Sequence, residues 1–476
     1  MTTPANLHLE IQSHRKHHYG LIRSSFRRDG KVQHTSHGRL SGLPLEKLKL
    51  IQAAFRGQVV RSDSPETFQI LASREYGASQ ALLQLARELA LPQVLYSRKE
   101  AWVGPALAMI IGRIVYAGSK LALAHQAPNT ALWELCGVEG KIDVDQHCYA
   151  VMDRLLERQP AIQRALAKKH LQNGHLVLYD ITSSYLEGEY EASKIVAFGY
   201  NRDGKRGHEQ VVIGLICNEQ GCPVGVEVFP GNTQDASTVP AKIAQLQNDY
   251  GLSELIFVGD RGMITQANQR KLQGVAGWQT ISALPHRQLV ELLQRVGRVL
   301  QRYKMGKFVH WSAPDGKLEW HFDQEKIQAE ERFDGCYVVV ADVPPDKMAK
   351  AQVVASYKKL SLVEDAFRNL KTVQLEVRPV YHKKDDRIRA HVFLCMLAYY
   401  LQWHAQARLQ PLFDKDGQGK DRQWTFASVI QRLSALRSNR VQSAGVEFSL
   451  ITQAEADQQA ILECLSRKPP VAINLK

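Results

Sequence analysis

The hydrophobic pattern of this chain changes near residue 174, and the new pattern restricts the fold to one class. Upstream, apolar residues recur at helical spacing, whereas downstream they form short continuous runs typical of buried strands. Helical patterns over 237–249 and 266–273 flank the last of four such runs: His175–Thr182, Gln210–Cys217, Cys222–Phe229 and Leu255–Val258. The order strand, strand, strand, helix, strand, helix predicts an α/β fold with helices covering a mixed sheet.

The regions around these runs have their own patterns. A helix over 151–171 is expected to break at Pro160, because proline removes a backbone hydrogen bond inside a helix. Downstream, the sequence predicts a β-rich insertion, one strongly amphipathic helix and one long apolar helix. The corresponding segments are strands at 307–311, 317–323 and 337–341 and helices at 350–372 and 387–408.

Positive charge is concentrated at the N-terminal end. Residues 1–62 contain eleven Lys and Arg residues against three acidic residues, an excess of eight out of the +13 of the whole chain. The turn sequence Arg28-Asp29-Gly30-Lys31 predicts a hairpin over residues 18–39. The pattern of residues 44–62 predicts a basic helix. The density of charge favours contact with a DNA backbone through residues such as Arg27, Arg28 and Lys31, with a merely solvated charged surface as the alternative.

Composition excludes several other classes. The seven cysteines contain no C-x-x-C pair, which argues against a disulfide scaffold or a structural zinc site and favours a reducing cytoplasm. No stretch has the roughly 20 apolar residues needed to span a bilayer, and the polar N-terminus lacks the features of a signal peptide. We therefore expect a cytoplasmic, nucleoid-associated protein with no membrane partner.

Three carboxylates stand out as candidates for chemistry. Asp180 and Asp260 each come at the end of an apolar strand, although either could simply be a turn or cap residue. Glu364 lies on the amphipathic helix beside its buried stripe, with Tyr357 and Lys371 seven residues away on either side. The alternative there is a surface ion pair between Glu364 and Arg368. Three such carboxylates could hold two Mg²⁺ or Mn²⁺ ions for phosphodiester chemistry.

These contexts together resemble the DDE transposases of bacterial insertion sequences, in particular the branch with a β-strand insertion between the second Asp and the Glu. Asp180 and Asp260 are 80 residues apart, and Asp260 and Glu364 are 104 apart. The helix signature of that branch is Tyr, two residues, Arg, three residues, Glu, six residues, Lys. This chain matches it except that Leu360 stands at the Arg position, where Lys359 or Arg368 could replace the missing charge.

The resemblance implies a ribonuclease-H-like core with Asp180 on its first strand, Asp260 after its fourth and Glu364 on a later helix. It implies a homodimer on double-stranded DNA that binds terminal inverted repeats, cleaves the ends and joins them to a target. Phosphate contacts are then expected from Tyr357, Lys371, Arg368, Lys359 and Arg261. Related enzymes cut through a DNA hairpin and stack a flipped base on an aromatic residue, for which Trp311 and Trp320 are candidates unless they simply pack the insertion.

This interpretation divides the chain into six parts. They are a basic DNA-binding region (1–62), a helical region (63–172), the first part of the catalytic core (173–280), the insertion (281–345), the second part of the core (346–410) and a C-terminal helical region (411–476). Two alternatives stay open: an inactive transposase-derived DNA-binding regulator, and a metal-dependent nuclease of the same fold.

Overall fold

The structure is a computed structural model, and it describes twelve segments of the chain. They are residues 7–14, 17–28, 31–57, 68–200, 207–260, 262–283, 309–312, 319–331, 338–373, 380–415, 423–443 and 446–466. The chain divides into two compact units, one formed by 1–72 with 440–450 and the other by 73–439 with 451–476.

The first unit begins with an antiparallel meander. Strands β1 (Leu7–His14), β2 (His17–Arg28) and β3 (Lys31–Ser41) pair in the order β1-β2-β3. Helix α1 (Leu45–Phe55) follows, and its Gln52 side chain donates a 2.8 Å hydrogen bond to the Leu9 carbonyl. The predicted hairpin is therefore confirmed, whereas the additional strand β1 was not predicted. The predicted helix ends at Phe55, before its expected limit at residue 62.

A strand and a layer of helices precede the central sheet. Their bounds are β4 (Phe68–Glu75), α2 (Gly77–Glu88), α3 (Leu91–Leu95), α4 (Val103–Val115), α5 (Lys120–His125), α6 (Leu132–Leu135) and α7 (Ala150–His170).

Helix α7 runs through Pro160, so the predicted break is wrong. The lost backbone hydrogen bond is offset by tertiary anchoring on either side of the proline. Gln159 and Gln163 both donate side-chain hydrogen bonds to the Val226 carbonyl, at 2.8 and 3.2 Å. Gln163 also accepts a 3.1 Å hydrogen bond from the Val226 backbone N–H.

The central sheet contains the predicted strands. Strands β5 (Leu176–Tyr185), β6 (Gln210–Asn218) and β7 (Pro223–Pro230) are antiparallel neighbours. On the other side, β5 pairs in parallel with β8 (Leu255–Gly259), which pairs in parallel with β9 (Trp278–Ala283). The sheet order β9-β8-β5-β6-β7 with these directions is that of the ribonuclease-H-like fold, so the predicted fold class is confirmed.

Two helices connect strands of this sheet. Helix α8 (Asp235–Ala244) continues as a π-helical turn to Asp249 and leads to β8, and α9 (Gln266–Gln273) leads from β8 to β9. Both were predicted, whereas β9 was not.

Two of the three strands predicted for the insertion pair with each other, and the third does not join them. Strands β10 (Val309–Ser312) and β11 (Glu319–Phe322) form a separate antiparallel pair, followed by helix α10 (Gln324–Glu331). The next strand, β12 (Val339–Ala341), pairs instead with β9 at the edge of the central sheet. The assignment of 337–341 to the insertion layer is thus wrong, because the free edge of β9 takes up this apolar segment.

The amphipathic helix of residues 350–372 is divided. Helix α11 (Lys350–Lys358) ends before a tight turn at Lys359, helix α12 (Leu360–Arg368) follows, and a π-helical turn spans Asn369–Val373. The prediction of one continuous helix is wrong, since Lys359 makes i,i+3 hydrogen bonds, at 3.2 Å to Ser356 and 2.9 Å from Leu362.

The longest helix is the core of the second unit. Helix α13 (Asp385–Lys415) contains the predicted apolar segment, and residues 390–402 are all buried. It is followed by α14 (Phe426–Ser434), β13 (Arg437–Ser443), β14 (Val446–Ile451) and α15 (Ala456–Ser466), and the last strands pair in the order β14-β13-β4. None of the helices in the described segments is both long and apolar enough to cross a membrane.

Candidate active site

Asp180 lies in the middle of β5 and not at its end, which corrects the prediction. The strand continues to Tyr185 because β6 pairs with it along this whole length. On the other side, β8 stops earlier, and its last residue Gly259 is opposite Tyr179. Asp180 is therefore the first residue of β5 beyond the end of β8. It is half-buried, and its Oδ1 accepts a 2.8 Å hydrogen bond from the Ile181 backbone.

Asp260 follows directly after β8 and is exposed. Its carbonyl accepts backbone hydrogen bonds from Met263 (3.0 Å) and Ile264 (3.2 Å), which turn the chain sharply into α9. Tyr179 and Gly259 are register partners on neighbouring strands, whose usual spacing is about 4.8 Å, and Asp180 and Asp260 are the next residues after each of them. Arg261 lies outside the described residues.

A fourth acidic residue, which the sequence analysis missed, lies near Asp260. A Cβ built on Gly262 would be 3.6 Å from Asp235 Oδ2 and 3.8 Å from Asp260 Oδ2, so both carboxylates flank this glycine. Asp235 is the first residue of α8, five residues after β7. Strands β5, β7 and β8 all run in the same direction, so their carboxyl ends meet at one edge. The signal that could have found Asp235 was an acid shortly after β7, since Asp260 similarly comes after β8.

Glu364 is exposed on α12, a helix that packs against β5. The predicted buried stripe is confirmed, since Leu360, Val363 and Phe367 are 8%, 0% and 5% exposed. Arg368 forms a 3.1 Å ion pair with Asp365, and not the Glu364 pair considered as the alternative. Glu364 therefore projects from a rigid helix whose opposite side is fixed in the core.

Leu360→Arg should destabilise the protein, because it places a charge in this stripe and removes a buried apolar side chain. We expect the free energy of unfolding to fall by roughly 3 kcal/mol. Urea denaturation would measure this, with Ser361→Arg on the exposed side of the same helix as the control. A Leu360→Arg protein that is as stable as wild type and more active would mean that position 360 takes an Arg at the site.

Lys371 is held differently from the prediction. Its side chain is 8% exposed, and its Nζ donates a hydrogen bond to Thr182 Oγ1. Thr182 follows Asp180 by two residues, so both side chains lie on one side of β5. The break at Lys359 and the π-helical turn mean that Tyr357, Glu364 and Lys371 do not share a continuous helical stripe. Lys371 is anchored instead to the strand that carries Asp180. Tyr357 and Lys359 are half-buried.

For the predicted DNA contacts of the first unit and for the two tryptophans, the structure describes the position on a strand but no contact with the acidic residues. Arg27 and Lys31 are exposed on β2 and β3 of the first unit, while the Arg28 side chain lies outside the described residues. Trp311 and Trp320 are backbone register partners in the β10–β11 pair, and their side chains also lie outside the described residues.

The acidic residues suit hard cations but are not tightly gathered. Within the described segments, the ligand atoms of Asp180, Asp260 and Glu364 do not all approach within 4.8 Å of one another. Asp180, Asp260 and Asp235 nevertheless come from one sheet edge, and Glu364 from a helix packed on β5. Carboxylate oxygens are the ligands that Mg²⁺ and Mn²⁺ prefer, so the residues present fit such ions.

The central part of the chain is similar to known proteins. Residues 175–401 match the family model described as a transposase DDE domain. No curated protein matches the chain significantly. Among solved structures, the chain is similar to the piggyBac transposase in a synaptic complex with hairpin DNA. The two are 8% identical, the match covers 75% of this chain and 76% of that chain, and the TM-score is 0.36. It is also similar to the Mos1 transposase in a paired-end complex with the left transposon end, with 14% identity, 69% and 87% covered, and a TM-score of 0.18.

The segment 175–401 is thus similar to transposase DDE domains. The matched segment contains Asp180, Asp260 and Glu364. The resemblance drawn from the sequence is confirmed.

Proposed function

We propose that this protein is the transposase of a bacterial insertion sequence, which cleaves the ends of its element and joins them to target DNA. The observation that carries the proposal is the convergence of Asp180 and Asp260 at one edge of the central sheet, inside the matched domain. Glu364 is on α12, which packs against β5, and Lys371 is hydrogen-bonded to Thr182 of that strand.

Asp180, Asp260 and Glu364 would hold two Mg²⁺ or Mn²⁺ ions. When bound, such ions activate an attacking oxygen and stabilise the leaving oxygen of a phosphodiester. The protein's own contribution is to fix the three carboxylates on rigid elements, so that little reorganisation is needed during the reaction. Asp235 is a further acid on this side of the sheet, and it would add negative charge near Asp260.

The reaction has two balanced steps. In the first, a water oxygen attacks phosphorus at the end of the element, the P–O3′ bond breaks, and the end is left with a 3′-hydroxyl. In the second, that hydroxyl oxygen attacks a target phosphorus, a target P–O3′ bond breaks, and the proton of the attacking hydroxyl is released. The first step consumes one water, which supplies the proton of the new 3′-hydroxyl and releases the other proton. The second step exchanges one phosphodiester bond for another, and the leaving target 3′ oxygen takes up a proton. No atom changes oxidation state, so no redox partner is required.

Basic and aromatic residues would position the DNA. Lys371, together with Tyr357, is proposed to contact phosphates beside the cleaved bond, with Lys359, Arg368 and Arg261 as further contacts. The basic region 1–62 would bind the terminal repeats, and two copies of the chain would pair the two ends. Trp311 and Trp320 in the insertion are proposed as stacking residues for a flipped base.

The experiment that tests this function uses duplexes from the two ends of the element that carries the gene. We expect the purified protein to bind these duplexes and, with Mg²⁺ or Mn²⁺, to cut them at the end of the repeat. Denaturing gels would locate the cut. Binding without any cleavage would favour the inactive regulator, and cleavage at sites unrelated to the repeat would favour a simple nuclease.

Lys371→Ala should weaken cleavage and formation of the end complex together. The loss of one charge-assisted phosphate contact corresponds to ~1.5–3 kcal/mol, or roughly 10- to 150-fold. Thr182→Val separates two roles, because it removes the acceptor of the Lys371 hydrogen bond and keeps the charge. We expect Thr182→Val to reduce cleavage more than binding, since Lys371 would be present but less well placed. Wild-type behaviour of Lys371→Ala in both assays would contradict the phosphate role.

A further inference from the structure

A second group of metal-ligating side chains lies apart from the acidic site. His170, Cys222 and His404 each offer a ligand atom, and these atoms all lie within 4.8 Å of one another. In the described part of the chain this is the only group of three or more such residues that is so compact. Within it, Cys222 Sγ and His404 Nε2 are 3.9 Å apart.

The three residues come from distant parts of the sequence. His170 is the last residue of α7, Cys222 is in the turn between β6 and β7, and His404 is on α13. The cluster therefore joins the helical layer, the central sheet and the long core helix. Because the three residues are far apart in sequence, no short spacing motif contains them. The absence of a C-x-x-C pair therefore says nothing about this group.

The turn that carries Cys222 is fixed before any ligand arrives. The Asn218 side-chain oxygen accepts hydrogen bonds from the backbone of Gln220 (3.0 Å) and Cys222 (2.9 Å). Gly221 has a positive φ of 83°, a conformation that glycine adopts readily. The Cys222 side chain is 0% exposed and is thus directed inward by a rigid turn.

The two histidines are also held in place. The His404 ring packs against Tyr400 at 4.7 Å and against His170 at 5.4 Å between ring centroids. His170 Nε2 lies 3.0 Å from Tyr400 Oη, which puts a phenol oxygen beside the cluster.

We propose that His170, Cys222 and His404 form a structural zinc site that links α7 and α13 to the central sheet. One thiolate and two imidazoles are soft and borderline donors, which suit Zn²⁺ and not the hard ions expected at the acidic site. Zn–S and Zn–N lengths of about 2.3 and 2.0 Å in tetrahedral geometry correspond to an S···N distance of about 3.5 Å. The observed 3.9 Å needs a contraction of only a few tenths of an ångström.

The surroundings support a structural and not a catalytic ion. Cys222 is fully buried and His404 is 9% exposed, so a polymeric substrate has no access to the ion. Tyr400 Oη or a water would complete four-coordination. Lys169 lies near, but its Nζ donates a 2.6 Å hydrogen bond to the Leu89 carbonyl and points to that partner. The proposal is independent of the transposase function, because it uses none of the acidic residues.

Metal analysis of the purified full-length protein tests the proposal directly. After dialysis against a weak chelator, we expect about one zinc per wild-type chain, as for a closed structural site. Growth with cobalt should give a protein with a thiolate-to-cobalt charge-transfer band and tetrahedral visible bands. A wild-type protein that retains less than roughly a tenth of a zinc per chain and binds no cobalt would overturn the proposal.

Cysteine variants assign the ligand. Cys222→Ser should lose the charge-transfer band and most of the metal, whereas Cys217→Ser should keep both. Cys217 is a matched control, since it is also fully buried and lies at the end of β6 in the same hairpin. A strong zinc chelator should lower the Tm of wild type and of Cys217→Ser. An unchanged cobalt spectrum in Cys222→Ser, or an unchanged wild-type Tm with chelator, would overturn the assignment.

Discussion

Asp180→Asn, Asp260→Asn and Glu364→Gln should each reduce cleavage of end DNA by about 10³-fold or more. Each change keeps the size of the side chain and removes the negative charge that holds a cation. The loss of metal-ion stabilisation is worth several kcal/mol, and each 1.36 kcal/mol corresponds to about tenfold in rate. End binding should stay within about twofold of wild type, because the phosphate contacts come from other residues.

Asp365→Asn is the matched control for Glu364→Gln. Asp365 is the next residue on α12, is also exposed, and forms the 3.1 Å ion pair with Arg368. Its loss should leave cleavage nearly unchanged, because a surface ion pair contributes little. Cleavage by quench-flow or gel assay and binding by gel shift would be measured on the same preparations. Near-wild-type cleavage by Glu364→Gln would remove Glu364 from the site.

Deletion of residues 1–62 should strongly reduce affinity for end DNA and flatten its dependence on salt. The segment carries an excess of eight positive charges. For every phosphate that the shortened protein no longer neutralises, the slope of log affinity against log salt should fall by about 0.9, because fewer counterions are released on binding. Binding isotherms at several salt concentrations would measure both quantities.

A double variant tests the same idea without removing a folded element. Arg27→Ala with Lys31→Ala removes two exposed charges from β2 and β3 and should reduce the slope by up to about 1.8. The control is Arg164→Ala with Lys168→Ala, two exposed basic residues on α7 that have no proposed DNA contact. An unchanged slope after deletion of 1–62 would show that this region does not bind the DNA backbone.

The sequence predicted four strands of the central sheet because they are almost entirely buried. The apolar runs of β5, β6, β7 and β8 have few alternatives, and each was found within a few residues of its observed bounds. The two aspartates were found for the same reason, since a carboxylate directly after or within such a run is conspicuous. Their adjacency depends on the parallel register of β5 and β8, which only the structure provides.

Contacts between distant segments account for most of what was missed. The pairing of β12 with β9 joins residues about sixty positions apart, and neither strand has a pattern that names its partner. The Lys371–Thr182 hydrogen bond spans 189 residues, so helical spacing alone misplaced the lysine. At Pro160, contacts between distant segments also decided the outcome. Its local propensity predicts a break, and tertiary anchoring through Gln159 and Gln163 overrides it.

The measurement that most directly tests the transposase function is joining of a precut end. A labelled duplex that already ends in the 3′-hydroxyl of the terminal repeat is incubated with supercoiled plasmid, Mg²⁺ and the purified protein. We predict label covalently joined to the plasmid with wild type and with Asp365→Asn, and none with Glu364→Gln. A wild-type protein that cuts the uncut duplex at the repeat but never joins the precut end would contradict the transposase function and support a nuclease.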